Sequence, residues 1–140
     1  MSTSPTVVTA HLDTVPTLAY ENREEADWKP LRHHLGVGAF GVNAWTAAGE
    51  GGIVIERHDE TDDGHEELYV VVRGSARFTV AGDEIDAPAG TLVFLPDPAV
   101  TREAVSTAPD TLVLAVGAAR GRVFAPSGWE ARALRARGAA

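Results

Sequence analysis

Short runs of β-branched and aromatic residues, each closed by a turn, most limit how this chain can fold. Clusters of Gly, Pro and Asp separate the runs at hairpin spacing. No helical pattern lies between them, so roughly eight short strands predict an all-β antiparallel sandwich or barrel. We predict strands over residues 53–55, 68–72, 76–80, 91–95 and 111–116, and over parts of 35–47.

Helical signals are confined to the two ends of the chain. Residues 22–25 begin a short helix that Pro30 ends. Ser127 and Glu130 form a capping box in front of a helix over 131–137. We therefore expect one domain with short extensions. Its parts are an N-terminal arm with a short helix (1–35), a β-barrel (36–120) and a C-terminal extension with a short helix (121–140).

Composition excludes several classes of protein and site. The 140 residues carry 20 acids and 12 bases, a net charge of −8 that would repel nucleic acid. There is no cysteine, so disulfides, thiolate metal sites and cysteine nucleophiles are excluded. The sequence shows neither a secretion signal nor the roughly 18 apolar residues of a membrane span. We predict a cytoplasmic protein with no nucleic-acid or membrane partner.

The negative charge is concentrated in one segment, residues 50–67. It contains eight acids, one base (Arg57) and two histidines, His58 and His65. This segment is the candidate functional site. Elsewhere the sequence contains neither a phosphate-binding loop nor a nucleophile elbow, so no nucleotide or organic cofactor is indicated.

Two His/Glu pairs in this segment form a potential metal-binding set. Residues two apart on a strand share a face, which pairs His58 with Glu60 and His65 with Glu67. We predict a hairpin in which the turn 61–64 folds the two pairs against each other. Such nitrogen and oxygen donors suit Fe, Mn, Ni, Co or Zn. The alternative interpretation is a solvated acidic loop with no metal.

The same residues fall into two spaced motifs. The first contains Gly52, His58, Glu60, Glu67 and Gly74, and the second contains Gly90, Pro96, Pro98 and Thr101. In this order and at these spacings they resemble the paired motifs of the cupin superfamily, in particular its small single-domain members. The resemblance covers about half of the chain, roughly residues 45–117. It implies a double-stranded β-helix barrel, a divalent metal ion inside it, and a homodimer.

The resemblance also assigns roles to individual positions. His58 matches the first metal-binding histidine and Glu67 the glutamate, whereas Glu60 stands at the second histidine and Thr101 at the last one. Glu60 and His65 remain alternatives for the same ligand role. Thr101 is expected to provide a hydroxyl hydrogen bond at the barrel wall.

A pocket for a small, partly apolar molecule should lie beside these residues. Strand parity with Glu67 places Tyr69 and Val71 on the inner face. Phe78, Phe94 and Thr101 are further pocket candidates, and which of the two phenylalanines points inward depends on the strand register. Two functions fit. One is a metal-dependent oxygenase, isomerase or lyase acting on a small organic molecule. The other is a metal-free cupin that binds a small molecule or has a structural role, so whether the chain is an enzyme is left open.

The remaining histidines and the tryptophans favour structural roles. His33 and His34 are adjacent, so on a strand they would point to opposite faces, one exposed and one partly packed. Trp28, Trp45 and Trp129 are expected to cap the barrel or to fill a subunit contact.

Overall fold

The computed structural model describes residues 5–19 and 26–136. Ten strands and two short helices follow one another in this part of the chain. The strands are β1 (Leu18–Ala19), β2 (Asp27–Lys29), β3 (Gly41–Ala47), β4 (Ile53–His58), β5 (His65–Arg73), β6 (Ser75–Val80), β7 (Asp83–Pro88), β8 (Leu92–Leu95), β9 (Arg102–Ser106) and β10 (Thr111–Ala119). The helices are α1 (Leu31–Leu35) and α2 (Gly128–Ala136).

The strands form two antiparallel sheets. One has six strands in the order β1-β2-β3-β10-β5-β8, and the other has four in the order β4-β9-β6-β7. Consecutive strands frequently lie in different sheets, as in a jelly roll, where the chain crosses repeatedly between the two layers. The predicted all-β class and barrel architecture are confirmed.

All five predicted runs fall within or at the edge of strands β4, β5, β6, β8 and β10. Strand β3 accounts for the end of the 35–47 region, whereas Val37 lies outside any strand. Strands β1, β2, β7 and β9 were not predicted. Five of the six residues of β7 are exposed, and β9 begins with an arginine that points inward, so neither shows an apolar alternation.

The core lies between the two sheets and is closed at one side by aromatic rings. The three tryptophans pack together within one chain. Ring centroids are 6.2 Å apart for Trp28 and Trp45, 5.4 Å for Trp28 and Trp129, and 6.0 Å for Trp45 and Trp129. Because Trp129 belongs to α2, this cluster attaches the C-terminal helix to the six-stranded sheet. The interpretation of the tryptophans as a barrel cap is therefore favoured over a subunit contact.

The N-terminal helix differs from its prediction. Residues 22–25 lie outside the described residues, but Asp27–Lys29 form a strand, and helix α1 follows Pro30 instead of ending there. Proline fits the start of a helix because the first amides have no partner within the helix. His33 and His34 lie on this helix and both are exposed, so their prediction as strand residues was wrong.

The C-terminal helix forms, but its capping box does not. The Ser127 hydroxyl donates to Asp63 Oδ2 at 2.7 Å, and the Glu130 carboxylate accepts from Arg32 Nε at 2.6 Å. Ser127 thus connects the helix to the loop before β5, and Glu130 connects it to helix α1. Among the described residues, neither helix has the length and apolar character needed to cross a bilayer.

Candidate metal centre

A cavity of about 250 Å³ opens between the two sheets at the end of the barrel covered by α2. One side of it is apolar and aromatic, and the other carries carboxylates and imidazoles. The aromatic side includes Trp45, Tyr69, Phe124 and Trp129. The polar side includes Glu56, His58, Asp59, Glu60, Asp62, Asp63, His65, Glu67 and Glu130. No lysine or arginine lines this cavity among the residues described.

The predicted hairpin between the two His/Glu pairs was wrong. Strands β4 and β5 belong to different sheets: β4 pairs with β9, and β5 pairs with β8 and β10. Residues 59–64 therefore cross from one sheet to the other. The Glu60 amide donates to the Pro98 carbonyl at 2.8 Å, and the Gly64 amide donates to the Glu60 carbonyl at 2.7 Å. The crossing loop still brings residues from both sheets to one end of the barrel.

Three of the predicted ligands come together there. Donor atoms of His58, Glu60 and Glu67 all lie within 4.8 Å of one another. His58 Nε2 is 2.8 Å from Glu60 Oε2 and 3.9 Å from Glu67 Oε1. The other ring nitrogen, Nδ1, donates to the Glu56 carbonyl at 2.6 Å. That bond directs Nε2 into the cavity, an arrangement that metal-binding histidines usually have.

Two buried side chains, Tyr69 and Arg102, donate hydrogen bonds to the Glu67 carboxylate. Its Oε1 accepts hydrogen bonds from the Tyr69 hydroxyl and from Arg102 Nη1, the latter at 2.9 Å. Arg102 is 0 % exposed, and its Nε donates to the Val100 carbonyl at 2.9 Å. Within the described part of the chain, no donor is hydrogen-bonded to Glu67 Oε2. One carboxylate oxygen is therefore anchored and the other is left for a ligand.

Arg102 is a residue of this candidate site that was not predicted from the sequence. The motif comparison placed Thr101 at the inward position, but the structure places its neighbour there, opposite His58 on β4. Thr101 does not line the cavity, and its carbonyl accepts from the Ala81 amide at 3.0 Å. Adjacent strand residues point to opposite faces, so a shift of one residue exchanges them. The only available signal was a charged residue inside a predicted barrel region.

His65, the fourth predicted ligand, lies in a second donor group. Donor atoms of Glu60, Asp63 and His65 lie within 4.8 Å of one another. His65 Nδ1 is 3.7 Å from Glu60 Oε1. The four predicted ligands therefore form two overlapping groups that share Glu60, and not a single cluster. Asp63 had been assigned only to the turn.

The pKa values of Glu67 and His58 are both raised, for different reasons. Burial raises the pKa of Glu67, and the charge of Glu60 adds to this, against the opposing effects of Tyr69, His58 and Arg102. Burial by itself lowers the pKa of His58, but its contacts with Glu60, the Glu56 carbonyl and Glu67 outweigh this and raise it. The raised pKa of His58 indicates that a positive charge next to the carboxylates is stabilised.

The remaining pocket residues occupy different positions. Tyr69 lines the cavity, as predicted from strand parity. Val71 and Phe78 are fully buried in the core below the cavity, where the Tyr69 and Phe78 ring centroids are 5.4 Å apart. Phe94 is 55 % exposed on the outer face of β8, so its prediction as a pocket residue was wrong. Its neighbours on the strand, Val93 and Leu95, point inward instead.

No family model matches the sequence, and neither does any curated protein. Solved structures do match. They include KdgF from Halomonas sp. (17 % identity, TM-score 0.66, 82 % of this chain and 96 % of that one). Another is a predicted oxalate decarboxylase from Thermotoga maritima (17 % identity, TM-score 0.63, 80 % of this chain and 99 % of that one). A third is a sugar phosphate isomerase of the cupin superfamily from Silicibacter pomeroyi (16 % identity, TM-score 0.61, 85 % of this chain and 77 % of that one).

At these identities the likeness concerns the fold and does not transfer an activity. It agrees with the two antiparallel sheets, and with the order of glycines, prolines and acidic residues in the two sequence motifs. The chain has the cupin fold.

Proposed function

We propose that this cupin binds a divalent metal ion through His58, Glu60 and Glu67 and acts on a small organic molecule in the adjoining cavity. The observation that carries the proposal is the convergence of one imidazole nitrogen and two carboxylate oxygens within 4.8 Å at the cavity wall. These donors suit Fe, Mn, Ni, Co or Zn.

The surroundings of the three side chains support a metal site. The Glu56 carbonyl orients the His58 ring, while Tyr69 and Arg102 orient the Glu67 carboxylate. Outer hydrogen bonds of this kind fix the geometry of ligands and are a regular part of metal centres. A divalent cation would also offset the repulsion between the Glu60 and Glu67 carboxylates.

The cavity itself indicates the class of ligand. Its volume of about 250 Å³ is slightly below the range typical of sites for drug-sized molecules, so a smaller molecule fits. The aromatic side, with Trp45 and Trp129, would pack against apolar parts of the ligand and exclude water. A bound metal ion supplies Lewis acidity and open coordination positions for a polar group of the ligand. Reactions of the oxygenase, isomerase and lyase types are compatible with this arrangement.

Metal analysis tests the proposal directly. Untagged protein is stripped with chelator and reconstituted anaerobically with Fe(II), Mn(II), Ni(II), Co(II) or Zn(II), one at a time. We expect at least one bound equivalent per chain for one of these metals. His58→Ala should weaken the tightest site by more than 100-fold, beyond the roughly 10- to 100-fold losses seen for outer-shell changes.

His33→Ala is the matched control, because His33 is exposed on α1 and does not line the cavity. It should bind metal as the wild type does. Sub-stoichiometric metal in the reconstituted wild type, or equal affinity in the His58→Ala variant, would refute the proposal.

One observation favours a second candidate function, a metal-free barrel that binds a small molecule. Arg102 already provides a fixed positive charge at Glu67, and His58 in its protonated form pairs with Glu60. These two cations partly neutralise the site without a metal. In that case the same reconstitution experiment would leave the wild type without metal.

The homodimer remains a prediction, and the outer face of strands β5 and β8 supports it. Leu92 and Phe94 are exposed on the edge strand of the six-stranded sheet, opposite Val70 and Leu68. Such an apolar edge is usually covered by another chain. We expect the wild type to be a dimer by light scattering and Phe94→Glu to be a monomer. Val123→Glu, at an exposed position outside the sheets, should leave the dimer intact; a monomeric wild type would contradict the prediction.

A further inference from the structure

Glu60 is placed between two separate groups of potential ligands. Its Oε2 lies 2.8 Å from His58 Nε2, and its Oε1 lies 3.7 Å from His65 Nδ1. Each oxygen of the carboxylate thus faces a different imidazole. In sites with two metal ions, the ions are about 3.5–4 Å apart, a separation that one carboxylate can span with its two oxygens.

Asp63 completes the second group and is held in position from outside it. Its Oδ2 accepts from the Ser127 hydroxyl at 2.7 Å, and its carbonyl accepts from Arg122 Nη2 at 2.9 Å. The neighbouring Gly64 makes room for this arginine, since a Cβ at Gly64 would lie 2.3 Å from Nη2. The C-terminal segment therefore fixes the loop that carries Asp63.

His65 provides independent evidence for a ligand in this group. The residue is only 8 % exposed, lines the cavity and stacks on Phe124 with ring centroids 5.7 Å apart. Within the described part of the chain, neither ring nitrogen makes a hydrogen bond. The nearest charged group, Glu60 Oε1, is 3.7 Å from Nδ1, beyond hydrogen-bonding distance, so the ring lacks the close partner that a largely buried imidazole normally has. A cation between His65, Asp63 and Glu60 would provide that partner.

We propose that the cavity holds a second divalent cation, bound by Glu60, Asp63 and His65, so that Glu60 bridges two metal ions. This inference rests on the proposed function of the first group. It adds a site that is built from the crossing loop and the start of β5. The two ions would together offset the charge of three converging carboxylates, those of Glu60, Asp63 and Glu67.

Manganese binding tests the second site with a readout independent of activity. Untagged protein is stripped with chelator and titrated with Mn(II), and bound metal is followed by calorimetry and by electron paramagnetic resonance. The wild type should bind two equivalents per chain and give the spectrum of a magnetically coupled pair. Asp63→Asn should bind one equivalent and give the spectrum of an isolated ion.

Asp83→Asn is the control, because it removes the same charge at an exposed position that neither lines the cavity nor belongs to a donor group. It should keep two coupled ions. One equivalent in the wild type, unchanged in Asp63→Asn, would overturn the second site and leave the first intact. No bound ion in any of these proteins would overturn both. Circular dichroism of each variant, matched to that of the wild type, establishes that folding is preserved.

Discussion

Replacing Arg102 by methionine should lower the free energy of unfolding by about 3 kcal/mol, because it leaves the buried Glu67 carboxylate without its charged partner. Arg102 is completely buried, and its Nη1 is 2.9 Å from Glu67 Oε1. Methionine preserves much of the side-chain volume, so the loss reports the ion pair more than a cavity. Urea unfolding of metal-stripped protein in chelator measures this change in the free energy of unfolding without a contribution from bound metal.

Two further variants make this result interpretable. Arg77→Met removes an arginine from an exposed ion pair with Asp86, at 3.0 Å, and should cost less than about 1 kcal/mol. The double variant Arg102→Met/Glu67→Gln should cost less than the sum of its two single variants, since neither then leaves a buried charge unpaired. A cost below about 1 kcal/mol for Arg102→Met would contradict the assigned role.

Gly74→Ala should be at least as destabilising, by about 3 kcal/mol or more, because strain and overpacking add at this position. Gly74 has φ +73°, and a Cβ there would lie 2.3 Å from Thr111 Oγ1 and 2.7 Å from Thr111 Cα. Thr111 cannot move easily: it is fully buried, and its hydroxyl contacts Ser75 and Ala108. Thermal or urea unfolding gives the difference.

Gly82→Ala separates the two contributions. Gly82 has φ +87°, but a Cβ there would meet no atom within 4 Å. Only the backbone strain remains, and we expect a cost of about 1 kcal/mol. Equal losses for Gly74→Ala and Gly82→Ala would show that the contact with Thr111 does not matter.

The fold could be predicted because its signals are local. Residues 68–72 alternate in burial with the period of a strand, and residues 111–116 form a largely buried run of β-branched and other apolar residues. Turn residues separate these runs along the chain. Strand β7 escaped prediction since it is an exposed edge strand, whose residues do not need to be apolar. The N-terminal strand β2 has three residues, too few for any periodicity.

The proximity of the candidate ligands was predicted from the sequence, but their geometry was not. The sequence analysis placed His58, Glu60, His65 and Glu67 together through a hairpin, whereas a loop between two sheets brings them together. Short separation along the chain favours contact in either case, so the prediction of proximity did not depend on the correct pairing. How the donors divide into two groups is a three-dimensional property, because it depends on the two oxygens of Glu60 facing different sheets.

Arg102 could not be located from the sequence because a single-residue shift in register changes the face of a strand. The spacing after Gly90 and Pro96 predicted that Thr101 points inward. The register of β9 against β4 and β6 instead turns the side chain of Arg102 inward. The same limitation applies to Phe94, where the strand β8 turns its aromatic ring outward and Val93 and Leu95 inward.

Anomalous diffraction at the absorption edge of the bound metal tests the central claim most directly. Crystals of the untagged protein, grown with the metal that gives the tightest binding, should show an anomalous peak about 2.1 Å from His58 Nε2, with Glu60 and Glu67 as further ligands. An ion at that distance replaces the direct contact between His58 Nε2 and Glu60 Oε2, which are 2.8 Å apart in this structure. A saturated crystal with no anomalous peak in the cavity, and with His58 still hydrogen-bonded to Glu60, would contradict it.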